Sequence, residues 1–196
     1  MAFQCFVIHK PYQVLTAFTA KDGKQHLGDF FKVPKDVYPV GRLDYDSEGL
    51  LILTNDKQLT NRLLNPEFGH KRSYWVQVEG AITEEALAKL SAGVDISIDG
   101  QTHHTKPAKA ILLTTPPTIE ERNPPIRVRE NIPTSWISLT LTEGKNRQVR
   151  RMTAAVGFPT LRLVRYKMEQ LTLQGMKTGE MIEMSRNQLY KKLGIS

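Results

Sequence analysis

The stretch that most restricts this chain is Gly41 to Asp56, reading GRLDYDSEGLLILTND. Arg42 stands beside three acids, Asp44, Asp46 and Glu48, and an uncharged apolar run from Leu50 to Leu53 follows at once. Such a run, bounded by Gly49 and by Thr54-Asn55-Asp56, predicts a short buried strand. Carboxylates at the mouth of a buried strand are costly to desolvate unless a cation or several donors meet them. The fold has to bring such a partner here, and at least one of these acids is a candidate for chemistry.

At 196 residues with 40 % apolar content, the chain suits a single domain, here expected as two lobes of about 1–70 and 71–196. Its 27 Lys plus Arg against 20 Asp plus Glu give a net charge of +7 and a pI of about 9.5. That balance favours an anionic partner, nucleic acid first, though only modestly until the cations are placed. One cysteine, Cys5, excludes an internal disulfide or a multi-cysteine zinc site and suits a reducing compartment. The start, MAFQCFVIHKPYQVL, lacks the apolar core of a signal peptide, and no apolar run approaches the length of a membrane span. A soluble cytoplasmic protein is expected.

Periodicity and turn residues predict strands at Phe3–Ile8, Val14–Thr19, Arg72–Glu79, Ser135–Thr142, Leu161–Tyr166 and Met181–Met184, and Val94–Thr115 reads as β, a short strand, the turn Asp99-Gly100 and a strand at Ala108–Leu113. Helices are predicted at Leu27–Phe31, Asp56–Leu64 (capped by Thr54 or Asn55), Glu84–Leu90 (capped by Thr83), Asn146–Val156 and Arg186–Leu193. Residues 116–133 are rich in proline and carry Arg122, Arg127 and Arg129; a solvated connector and an RNA-contacting loop suit them equally. Many short strands broken by a few helices imply an α+β fold: a mixed, mainly antiparallel sheet with flanking helices.

Between Lys145 and Lys167 lie seven cations and no acid. They ride on a helix and a strand that also carry core positions, so they should converge on one side, where phosphate contact explains them better than a merely solvated face. The acids at Asp44 admit other readings. An EF-hand fails because Asn55 stands where the twelfth-position glutamate is needed and the flanks read as strands. A glycosidase pair of Asp44 and Asp46 stays open as a weaker alternative, since two residues apart on one strand they are too close for an inverting enzyme. Simple charge balance with Arg42 suits Asp46 and Glu48 better than Asp44. The five histidines show no metal spacing, His103 and His104 read as surface residues, and no phosphate-binding loop or GxGxxG is present. From charge alone, a non-catalytic RNA-binding protein of ribosome assembly fits as well as an enzyme.

Two motifs together, GRLDYDSEGLLILTND and EGKNRQVRRMTAAVGFPTLRL, resemble the RsuA-type pseudouridine synthases. The likeness extends to KPYQVL, RSYWVQVEG and ERNPPIRVRENIPTSW and so covers nearly the whole chain; the last stretch points to a member acting on large-subunit ribosomal RNA. The resemblance implies the pseudouridine synthase catalytic fold with a central cleft, no S4 RNA-binding module, no metal and no cofactor. It implies isomerisation of a uridine in 23S ribosomal RNA, or in a pre-large-subunit particle, by a monomer that works away from membranes. By position, Asp44 matches the catalytic aspartate, Tyr74 the active-site tyrosine and Arg150 the basic residue that keeps the aspartate ionised. Arg42 matches a residue that fills the space left by the target base. Lys145, Asn146, Arg147, Gln148, Arg151, Arg162 and Arg165 are the further RNA-binding candidates. His9 and Arg72 depart from the Asn and Lys that relatives often carry there.

Overall fold

The computed structural model describes residues 2–127, 129 and 131–195. The chain forms two units, Met1–His70 with Arg165–Ser196, and Lys71–Val164. The second lobe expected to run through residue 196 thus ends at Val164, and the last stretch returns to the first unit.

The first unit opens with β1 (Cys5–Lys10), α1 (Leu27–Phe30), β2 (Tyr38–Pro39), β3 (Glu48–Thr54) and α2 (Lys57–Leu64). β1 and β3 pair antiparallel, with Val7 opposite Ile52 and Lys10 opposite Gly49. All seven residues of β3 are buried, as an uninterrupted apolar run requires when both faces are covered. Alternate side chains point the same way, so Phe6, Ile8, Leu51 and Leu53 share one face. They pack there on Val14, Leu27, Phe31, Val37 and Leu43.

Two expectations fail here for local reasons. Val14–Thr19 is not a strand; it makes only an isolated bridge, Leu15 to His26. Its polar groups are met by other partners, the Lys10 ammonium at the Val14 carbonyl (2.7 Å) and Leu43 at the Thr16 hydroxyl. The cap of α2 is Asp56, whose carboxylate accepts from Gln58 and Leu59 N–H. Thr54 and Asn55 are used elsewhere: Thr54 Oγ1 donates to the Gln4 carbonyl, and the Asn55 amide meets Gln4 N–H and Ala2 O.

The second unit contains β4 (Arg72–Glu79), α3 (Glu84–Ala92), β5 (Asp95–Ile98), β6 (Gln101–His104), β7 (Lys109–Leu113), β8 (Thr134–Leu141) and α4 (Gln148–Ala155). β8 pairs antiparallel with β4 on one side and β7 on the other. The alternation in β4 buries Val76 and Val78 against Ile137 and Leu139 of β8 and Met152 of α4, and Tyr74 packs on the same cluster. Thr83 caps α3 through Ala86 N–H, as its place before two glutamates predicts. β5 and β6 form a separate hairpin across Asp99-Gly100; the short strand and the turn were expected within the β reading of Val94–Thr115, whereas QTHH, with no apolar alternation, was not singled out as a strand of its own. Within the proline-rich segment, the stretch from Glu120 to Pro125 carries defined hydrogen bonds. Arg122 donates to the Pro124 and Pro125 carbonyls, and Arg162 Nη2 to the Glu120 carbonyl at 2.9 Å.

The chain leaves the second unit within β9 (Thr160–Met168) and completes the first with β10 (Leu171–Thr172), β11 (Met181–Glu183) and α5 (Arg186–Leu193). β11 pairs with the free side of β1, Val7 opposite Ile182. Ser185 and Gln188 close a capping box at the start of α5.

Candidate active site

In the first unit, the acid stretch is a tight turn leading into β3. Ser47 N–H donates to the Asp44 carbonyl at 3.0 Å. Asp44, Tyr45 and Asp46 are half-buried, Glu48 is buried, and Arg42 is exposed. The residue before Asp44 is clamped by one hydroxyl: Thr16 Oγ1 donates to the Leu43 carbonyl at 2.7 Å and accepts from Leu43 N–H at 3.2 Å. Val40 N–H bonds the Ile52 carbonyl at 2.8 Å, which fixes the chain on the approach to the turn.

One interior cation that feels these acids is Lys10, which sequence reasoning treated only as the end of a strand. Its side chain is fully buried, and Nζ donates to the Pro11 carbonyl at 2.9 Å and the Val14 carbonyl at 2.7 Å. Burial pulls its pKa down from 10.5 to about 7; Glu48, then Asp46 and Asp44, act against that, and Arg165 adds to it. The available signal was a lysine closing an apolar strand just before proline, at a place where the strand has to stay buried.

Arg165 lies in the same interior. It is 5 % exposed, and its Nε donates to the Leu50 carbonyl at 2.8 Å. Arg162, in the second unit, is 6 % exposed and serves the Glu120 carbonyl. Both were expected on an RNA-facing surface. Residues 162–165 of β9 are all buried, and both guanidinium groups donate to main-chain carbonyls.

The second unit carries Tyr74 on β4, opposite Leu139, and Arg150 on α4, whose Nη1 lies 3.4 Å from the Thr160 carbonyl. Ahead of α4, residues 144–147 form an exposed loop. The helix starts later than Asn146 because Arg147 takes a left-handed conformation, φ +50°. Three of the expected RNA contacts build this loop. The Gln148 side chain is buried; its oxygen accepts Lys145 N–H at 2.9 Å and its Nε2 donates to Glu143 Oε1 at 2.7 Å. Arg151 Nε and Nη2 donate to the carbonyl and side-chain oxygen of Asn146, each at 3.1 Å, and Nη1 donates to the Ser97 carbonyl. Lys145 and Arg147 are exposed.

Glu143 is a second residue whose importance the sequence did not reveal. Its carboxylate also accepts Lys106 N–H at 2.7 Å and faces His103 Nε2 at 3.2 Å. Burial works to raise its pKa, but the Lys106 N–H, the Gln148 amide and His103 together outweigh that and hold it below the usual range. His103, expected as a plain surface residue, is half-buried and bonds the buried Glu143 carboxylate. Among the described residues no three His, Cys, Asp or Glu side chains are grouped so that they could hold a metal ion. Among those residues no helix is long and apolar enough to cross a membrane.

Comparison with known proteins gives a consistent family. The family model described as RNA pseudouridylate synthase matches residues 4–155. The chain is 52 % identical over 174 residues to the ribosomal large subunit pseudouridine synthase E of Vibrio parahaemolyticus, covering 89 % of this chain and 71 % of that one. It is 51 % identical over 179 residues to the protein of the same name from Vibrio vulnificus, covering 91 % and 74 %. A solved pseudouridylate synthase superposes with a TM-score of 0.76 at 26 % identity, covering 97 % of this chain and 74 % of the other.

Proposed function

The chain belongs to the RNA pseudouridylate synthase family, and from that premise we propose that it isomerises a uridine of large-subunit ribosomal RNA to pseudouridine, with Asp44, Tyr74 and Arg150 as catalytic residues. The reaction exchanges an N-glycosidic bond for a C-glycosidic one at uracil C5 and releases the C5 hydrogen. A base inside folded RNA must first leave its stack, at a cost of roughly a few kcal/mol, least in a loop. Phosphate contacts from Lys145 and Arg147 offset that cost, and Arg42 fills the space the base vacates.

Asp44 then promotes departure of the base from the sugar. Arg150 serves as the basic residue of the reaction, and Tyr74 stacks on the freed uracil and relays a proton. The observation that carries this reading is the acid turn. Asp44 follows a residue clamped at both backbone groups by Thr16, and the fully buried Lys10 feels the charge of the acids. Such fixation suits a group that must act at one position. A ribosome-assembly protein without catalysis accounts for the net charge but gives this turn no purpose. The reading extends to a cytoplasmic monomer, which a buried free Cys5 suits.

The test is Asp44→Asn with large-subunit ribosomal RNA tritiated at uracil C5. Tritium release should vanish while RNA binding and the circular dichroism spectrum stay those of the parent. Release at the parental rate sinks the assignment.

A further inference from the structure

Glu143 lies under the exposed loop that carries Lys145 and Arg147, yet at 6 % exposure it cannot itself meet a ligand. It is the node of a chain of bonds. Its Oε1 takes Gln148 Nε2, and the Gln148 oxygen takes Lys145 N–H. Gln148 N–H returns to the Lys145 carbonyl at 3.2 Å, so this one residue holds both backbone groups of Lys145. Lys106 N–H shares Oε1 with Gln148, His103 Nε2 meets Oε2, and Arg151 holds Asn146.

A free loop of this length would lose conformational entropy each time it settled on RNA. This loop has been ordered in advance, left-handed Arg147 included, and a preset cation spends less of its binding energy on ordering. We propose that Glu143 is a positioning residue for RNA binding: through Gln148 it presets residues 144–147 so that Lys145 and Arg147 meet adjacent phosphates of the substrate backbone. This deepens the proposed function and rests on its RNA substrate.

The experiment compares full-length parent, Glu143→Ala, Glu143→Gln and Gln148→Met in binding transcribed large-subunit ribosomal RNA from about 50 to 200 mM salt. Glu143→Gln keeps an oxygen for Lys106 and Gln148 and should bind as the parent does. Glu143→Ala should bind roughly tenfold more weakly at low salt, and its log–log salt slope should flatten by up to about two as two phosphate contacts are lost. Gln148→Met cuts the link to Lys145 while leaving the Glu143 bonds to Lys106 and His103, and should flatten the slope likewise. A merely unfolded fraction lowers the amount of active protein but not the slope. Parental slopes in Glu143→Ala and Gln148→Met, or equal damage from Glu143→Gln, overturn the proposal. A parent protein that binds with a steep slope but releases no tritium would instead sink the isomerase reading alone.

Discussion

Gly49 lies flat against the backbone of Arg165: a Cβ placed on it would stand 2.3 Å from the Arg165 carbonyl oxygen and 2.7 Å from its nitrogen. Gly49 also has φ +114°, a conformation that side-chain-bearing residues avoid. Nothing flexible can yield there, because both clashing atoms are main chain. Gly49→Ala should therefore cost about 3 kcal/mol or more, from backbone strain and overpacking together. Urea unfolding would measure it, and a loss below about 1 kcal/mol contradicts the packing described.

Thr16 should influence catalysis through Asp44. Thr16→Val keeps the shape but removes the hydroxyl that holds both backbone groups of Leu43. Turnover should fall on the order of tenfold, as small misplacements of reacting groups do, with RNA affinity unchanged. Thr16→Ser should restore it. Parental turnover in Thr16→Val would mean that the turn holds itself.

Lys10 gives a pH dependence of stability with a definite sign. Its folded pKa is about 7 against 10.5 when free. Below about pH 7 both states hold the proton, and the cost of a buried ammonium is fully present. Between about pH 7 and the free value the unfolded chain binds more protons, so rising pH relieves that cost and stability increases. The neutral amine still has two N–H groups for Pro11 and Val14. Lys10→Met lacks the effect, so the parent should gain stability relative to it across this window. Cys5, whose thiol burial pushes up to about 12, is common to both and cancels. A constant difference in melting temperature across that window would refute the assignment.

Exposed and buried cations should separate in one assay. Lys145→Ala should weaken RNA binding and reduce the salt slope by about one, with the melting temperature unchanged. Arg162→Met removes a 6 %-exposed guanidinium that serves Glu120 and should cost about 2 kcal/mol of stability while the slope stays parental. A reduced slope in Arg162→Met would return that residue to the RNA-facing set.

How far the sequence could be read depended on whether the partner of each group was local. β3 was legible because an uncharged run fits only a buried strand, and β4 because Tyr74, Val76 and Val78 alternate. Thr83 and Ser185 cap helices through N–H groups three residues away, so α3 and α5 were nearly fixed in outline. Val14–Thr19 misled because its apolar content resembles a strand, while its groups bond singly to Gln25 and Leu27, to Lys10 Nζ and to the Leu43 backbone rather than along a ladder.

What the residues determined unaided is the α+β class, the acid turn before a buried strand, and the family likeness carried by two long motifs. Charge type is written in a sequence, but burial is not. Whether a cation faces solvent or the interior depends on which elements cover it, and those lie far away along the chain. Only the tertiary structure could turn Lys10 and Arg165 inward, make builders of Gln148 and Arg151, and leave Lys145 and Arg147 exposed. The energetic cause is desolvation: a charge that loses water has to find carbonyls or counter-charges, and only the folded chain brings these to it.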